Sequence, residues 1–133
     1  MPLRILDVSP RQCWPIDTGA KLRDFHFARA LGRHADLTYV YFSQPGAPVP
    51  RQADMPFTRK LIPVAPPARY TPGKVVHGLF GRWPLPIVNY YSPEMERTVA
   101  RLLETEAFDL VHFDGFHMAA YTSTVPERMM PPR

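Results

Sequence analysis

Short apolar runs alternate with amphipathic stretches along most of the chain. Leu3 to Ser9 is an apolar run closed by Pro10, a pattern that predicts a buried strand. Pro10 to Thr18 carries two prolines, Trp14 and Asp17 and reads as a loop. Gly19 then opens a helix to about His34, with Phe27, Ala30 and Leu31 at i, i+3 and i+4 marking its expected apolar face. Arg29 and Arg33 form a separate polar ridge. Leu37 to Phe42 is dense in β-branched and aromatic residues and predicts a second strand. Strand, loop, helix and strand within about forty residues make one βαβ unit.

The middle of the chain is less periodic. Gln44 to Met55 is a proline-punctuated loop, and Leu61 to Ala65 predicts a third strand that Pro63 confines to a sheet edge. Between Pro66 and Tyr91 only Lys74 to Phe80 suggests one or two helical turns, and Trp83 to Pro86 reads as irregular. Periodicity returns at Ser92, a serine cap followed by Pro93 and Glu94. Met95, Val99, Leu102 and Leu103 then form one helical stripe. Leu110 to Phe113 predicts a fourth strand, His117 to Thr122 the start of another helix, and Pro126 to Arg133 a loop. The alternation predicts an α/β, Rossmann-like, open and mainly parallel sheet with flanking helices, in the order 3-2-1-4. Residues 1–133 are expected to form one such domain.

Composition narrows the class. The chain has 17 prolines in 133 residues, more than twice the usual share of about 5%, and they cluster where loops are expected. A net charge of +4 suits an anionic small molecule or membrane surface, and no nucleic-acid-binding motif accompanies it. Cys13, the single cysteine, excludes an internal disulfide and a cysteine-based zinc site. The N-terminal run lacks the apolar core of a signal peptide, and no stretch reaches the roughly 18 apolar residues of a membrane span. The expected location is cytoplasmic, with a peripheral contact at the inner membrane face as a further reading. That reading rests on Tyr70, Val75, Val76, Leu79, Phe80 and Trp83, interleaved with Arg69, Lys74 and Arg82. Exposed, they would form a patch for an anionic membrane; the expectation is that the apolar members pack under the sheet as core.

Ligands of open α/β sheets bind beyond the carboxyl ends of the strands, where the strand order reverses. Here that point lies between strands 1 and 4, faced by the loops Pro10 to Ala20 and Asp114 to His117. Gly19 would let a backbone approach a ligand closely, with Lys21 and Arg23 adding positive charge beside the helix N-terminus. Neither G-x-G-x-x-G nor a Walker A motif is present. Asp17 reads equally as a turn former. Asp114 and His117 could bind sugar hydroxyls or move a proton, although His117 also reads as a solvent-facing helix start. His112 and Asp114 share one face of strand 4. The spacing His112-x-Asp114-x-x-His117 is too short a match to argue for a metal, and none is expected. Asp7, inside strand 1, is expected to be a hydrogen-bonded structural carboxylate.

The stretches Arg4-Ile5-Leu6-Asp7-Val8-Ser9-Pro10 and Trp14-Pro15-Ile16-Asp17-Thr18-Gly19-Ala20-Lys21-Leu22-Arg23 resemble the opening of bacterial glycosyltransferase family 4 proteins. Tyr91-Ser92-Pro93-Glu94-Met95 and Phe108-Asp109-Leu110-Val111-His112-Phe113-Asp114, with His117-Met118-Ala119, are similar to a later helix and strand of the same family, in its exopolysaccharide-type sugar transferases. The resemblance implies the N-terminal, acceptor-side half of a two-domain GT-B enzyme that needs no obligatory metal. Such an enzyme moves a sugar from a nucleotide-sugar donor to a sugar or lipid-linked acceptor, with the donor held mostly by a C-terminal domain absent from this sequence. Gly19 matches the family's glycine-rich loop near the donor diphosphate, and Ala20 stands where a second glycine is commoner. The family's functional histidine and paired glutamates fall in later sequence, so the resemblance carries over no catalytic residue. The isolated chain is expected to be inactive. A non-enzymatic α/β binding or interaction module is the alternative.

Overall fold

A strand buried on both faces of a parallel sheet must be apolar almost throughout, and β1 (Leu3–Ser9) and β2 (Ala35–Phe42) are buried along nearly their whole length. The computed structural model describes residues 2–132; Met1 and Arg133, which fall within the expected N-terminal run and C-terminal loop, lie outside them. With β3 (Lys60–Val64) and β4 (Leu110–Phe113), β1 and β2 form one sheet in the order β3-β2-β1-β4, every pair parallel. This is an α/β Rossmann-like arrangement. Pro63 lies on the edge strand β3, where its missing N–H disturbs no inner ladder.

Helix α1 (Gly19–His34) connects β1 to β2 and covers one face. Its Thr18 cap accepts a hydrogen bond from the Lys21 N–H at 3.2 Å. The apolar face differs from the expected one. Phe27 is 45% exposed and Ala30 is also exposed. The buried side carries Lys21, Asp24 and Ala28, with Phe25 and Leu31 half-buried against the core. Phe25 meets Phe57 edge-to-face at 5.2 Å, and a Cβ on Gly32 would lie 2.2 Å from the Phe57 carbonyl oxygen. The segment after β2 therefore packs directly on the helix, and that contact sets its rotation. The helix also passes into β2 without a loop, so the strand starts at Ala35, two residues before the expected Leu37.

The opposite face is covered by α4 (Pro93–Thr105) and a 3₁₀ segment at Phe116–Thr124, where a helix start was expected at His117. Met95, Val99, Leu102 and Leu103 pack on Leu6, Val8, Val40 and Phe42 in one hydrophobic cluster. Ser92 caps α4 by accepting from the Met95 N–H at 3.3 Å. The buried Tyr121 hydroxyl accepts from the Ser92 N–H at 2.8 Å and donates to the Tyr90 carbonyl at 2.6 Å, tying the 3₁₀ segment to the start of α4.

The aperiodic middle folds into two short helices, α2 (Pro72–Phe80) and α3 (Leu85–Asn89). Proline near the first turn suits both, because those N–H groups have no intrahelical partner. α3 spans Pro86, in the stretch expected to be irregular. No residue of α2 is buried, so its apolar side chains do not pack under the sheet as expected. Past α4, a short 3₁₀ turn at Glu127–Met129 interrupts the expected C-terminal loop.

Candidate functional site

Parallel pairing brings the ends of β1 and β4 side by side, and α1 begins above them. Between these elements lies a crevice of about 230 Å³ lined by Arg23, Asp24, Phe27, His112 and Asp114. Its base is set by strand register. Asp7 lies opposite Tyr39 on one side and His112 on the other, and all three are on the α1 face. Asp7 Oδ1 is 2.9 Å from His112 Nδ1, which leaves Nε2 as the ring nitrogen open to a ligand. The Phe27 ring lies 4.9 Å from the imidazole, so the exposed phenylalanine of α1 walls the crevice.

Charge is concentrated here. Arg23 donates to Asp24 Oδ1 at 2.8 Å and reaches Asp114 Oδ1 at 3.4 Å. Asp24 is 4% exposed, and its second oxygen, Oδ2, accepts no hydrogen bond from the described residues. Arg11 Nε is 3.1 Å from that oxygen but is not aligned to donate to it. Burial and the neighbouring Asp24 and Asp7 push the Asp114 carboxyl up to about 6. Hydrogen bonding to Asp7 raises His112 against the opposing effect of burial. Burial raises Asp7, more than the His112 contact lowers it. The carboxylates and the imidazole can accept hydrogen bonds from ligand hydroxyls, and Asp114, at about 6, can exchange a proton with one of them near neutrality.

A second, wider cleft of about 530 Å³ crosses the carboxyl ends of β1, β2 and β3, with Arg11, Ser43, Gln44 and Arg69 on its walls. Buried Gln12 organises it. Its Nε2 donates to the Trp14 and Pro48 carbonyls, both at 2.8 Å, and its Oε1 accepts from the Gln44 N–H at 3.2 Å. Lys21 pairs with Asp17 at 3.0 Å and also bonds Gln44, so its charge is directed to the loop. Arg11 borders both spaces.

Of the four residues expected to form a site, the structure brings Arg23 and Asp114 into contact in the smaller crevice. Gly19 starts α1 at the same end of the sheet, and an added Cβ would meet no atom within 4 Å. Packing within the protein therefore does not require glycine there. His117 does not line the crevice. It lies against Phe116 and Tyr90, with centroids at 4.4 and 4.8 Å, and its Nδ1 is buried with no hydrogen-bond partner among the described residues. Burial, with Arg11 and Arg69, lowers its pKa and favours the neutral ring. Gly115 turns the chain there at φ 82°, which L-residues rarely adopt.

Asp24, Arg11, Phe27 and the Asp7–His112 pair were not expected as site residues. A signal for Asp24 was present: it lies three residues beyond Lys21, one helical turn along the stripe that leads to Ala28 and Leu31. Among the described residues no group of three or more His, Cys, Asp or Glu side chains could hold a metal ion. No family model, curated protein or solved structure matches the chain.

Proposed function

We propose that this domain holds the acceptor in a sugar-transfer reaction, as the acceptor-side half of a GT-B glycosyltransferase whose second Rossmann-like domain holds the nucleotide-sugar. One observation carries the reading. At the strand-order reversal, where α/β sheets take their ligands, a buried carboxylate, whose second oxygen faces Arg11 but accepts no hydrogen bond among the described residues, stands beside Arg23, Asp114 and His112. A polyhydroxylated acceptor supplies hydroxyls that can donate to these carboxylates and accept from Arg23, and Phe27 offers an apolar wall for a sugar ring. The His112–Asp7 pair is placed to accept a hydroxyl proton as that oxygen attacks a donor sugar. The resemblance running from Arg4 to Arg23 and from Tyr91 to Ala119 supports the same family.

Backbone amide NMR of the chain, titrated with neutral oligosaccharides and short-chain polyprenyl-phosphate sugars, tests the reading. Acceptor-type glycans are expected to shift amides at Gly19 to Asp24 and His112 to Gly115, and nucleotide-sugars to bind about tenfold more weakly or not at all. Gly19→Val should weaken glycan binding without lowering the melting temperature, since an added side chain meets no protein atom. Glycan-induced shifts elsewhere, or none, would sink the proposal. So would sugar transfer by this domain alone, since the groups that stabilise a departing diphosphate would then lie within it.

A further inference from the structure

We infer that α2 and its flanking loops form a docking surface for an anionic lipid bilayer. α2 buries no residue, yet its segment is strongly apolar. Phe80 is 85% exposed, Leu79 71%, Tyr70 69% and Val76 58%, all within eleven positions. Large side chains concentrated this way on a protein surface mark an interaction site.

Charge identifies the occupant. From Met55 to Pro93 the chain has no Asp or Glu, but it carries Arg59, Lys60, Arg69, Lys74 and Arg82. Lys74 turns inward, its Nζ donating to the Ala68 carbonyl at 2.5 Å. Arg69 lies over the Tyr90 ring at 4.4 Å and Arg82 over the Trp83 ring at 5.6 Å. These two exposed guanidiniums thus flank the apolar helix, each backed by an aromatic ring. Glu96, which shares a pocket with His77 and Trp83, is engaged by the Tyr91 hydroxyl. An apolar helix with aromatic neighbours, bordered by arginines and with no acid in its own segment, matches the boundary between anionic headgroups and acyl chains. A protein partner with an apolar patch would account for Phe80 and Leu79 but would not call for an acid-free segment. Arg69 also borders the wider cleft, so a bilayer seated on α2 would lie at the cleft's rim. The inference goes beyond the sugar-acceptor reading and rests on different residues.

Flotation of the full chain with phosphatidylcholine vesicles, with and without phosphatidylglycerol, decides it. The chain should float with the anionic vesicles, dissociate as salt is raised, and bind pure phosphatidylcholine weakly. Phe80→Ser should lower the partition coefficient about tenfold and Arg82→Ser about fivefold. Both side chains are exposed, so thermal unfolding should be unchanged. Arg101→Ser, on the exposed side of α4, should leave partitioning unchanged. Failure to float, or flotation indifferent to Phe80→Ser and Arg82→Ser, overturns the inference. Lipid-independent dimers that Phe80→Ser dissolves, without vesicle binding, would overturn it too and assign the patch to contact between copies of the chain. Glycan binding in the β1–β4 crevice is measured separately and can fail or succeed whichever way flotation turns out.

Discussion

The two faces of the sheet are built from the same strands and treat polarity in opposite ways. Under α4 the inward side chains carry no charge: beside the apolar cluster stand only hydroxyls, those of Thr38, Ser92, Thr98 and Tyr121, the last making two hydrogen bonds. Under α1 the strands present Asp7 and His112, and the helix adds Asp24 and Lys21. Buried carboxylates cost stability unless they are paired. The α4 face shows that this sheet packs without buried charge, whereas under α1 each carboxylate is kept by a partner, Asp7 by His112 and Asp24 by Arg11 and Arg23. They gather at the end of the sheet where ligands of such folds bind.

The comparison breaks most visibly on the apolar side. Leu103→Ala should destabilise the protein by about 2–5 kcal/mol, because a fully packed side chain leaves a cavity. Urea unfolding would measure this, and a loss below about 1 kcal/mol would mean that this face is loosely packed. Tyr121→Phe should cost about 1–3 kcal/mol, since it strands the Ser92 N–H and the Tyr90 carbonyl. Glycan binding under α1 should be unaffected.

On the polar side the effects on stability are smaller and depend on pH. His112 titrates above its ordinary 6.5 in the folded protein, chiefly through its bond to Asp7. Folding therefore gains from its protonation. That contribution is complete below 6.5 and is lost as pH rises through the raised folded value. The burial-raised carboxyl of Asp7 acts in the same direction. Urea midpoints measured across about pH 6 to 8 should fall with pH, and His112→Gln should flatten the slope. A rise with pH would contradict the pairing. The smallest change in stability should come from Asp24→Asn. The neutral amide keeps an oxygen for Arg23 to donate to and both arginines can regain water, so the loss should be about 1 kcal/mol although Asp24 itself is buried. Because the Asp24 charge helps hold the Asp114 carboxyl near 6, that carboxyl should titrate lower in the variant. Carbon-detected NMR would follow the shift, and glycan affinity should drop at the same time.

The α4 stripe, the Ser92 cap, the apolar runs of β1 and β2 and the edge position of β3 were legible because each depends on neighbours in sequence. A period of 3.6 or 2, a capping hydroxyl and a proline's missing N–H act locally. The strand order followed from the alternation of strands and helices, which limits how such a chain can wind. The rotation of α1 was not legible, because Gly32 and Phe57 meet only after the chain has folded back. That rotation turned Phe27 outward and Asp24 inward, and so set the walls of the crevice. The Asp7–His112 pair joins positions 105 apart in sequence and exists only through strand register. The exposure of α2 also belongs to the tertiary structure. Composition marked the segment as apolar and basic, but only the packing of the other elements decided that no core would cover it.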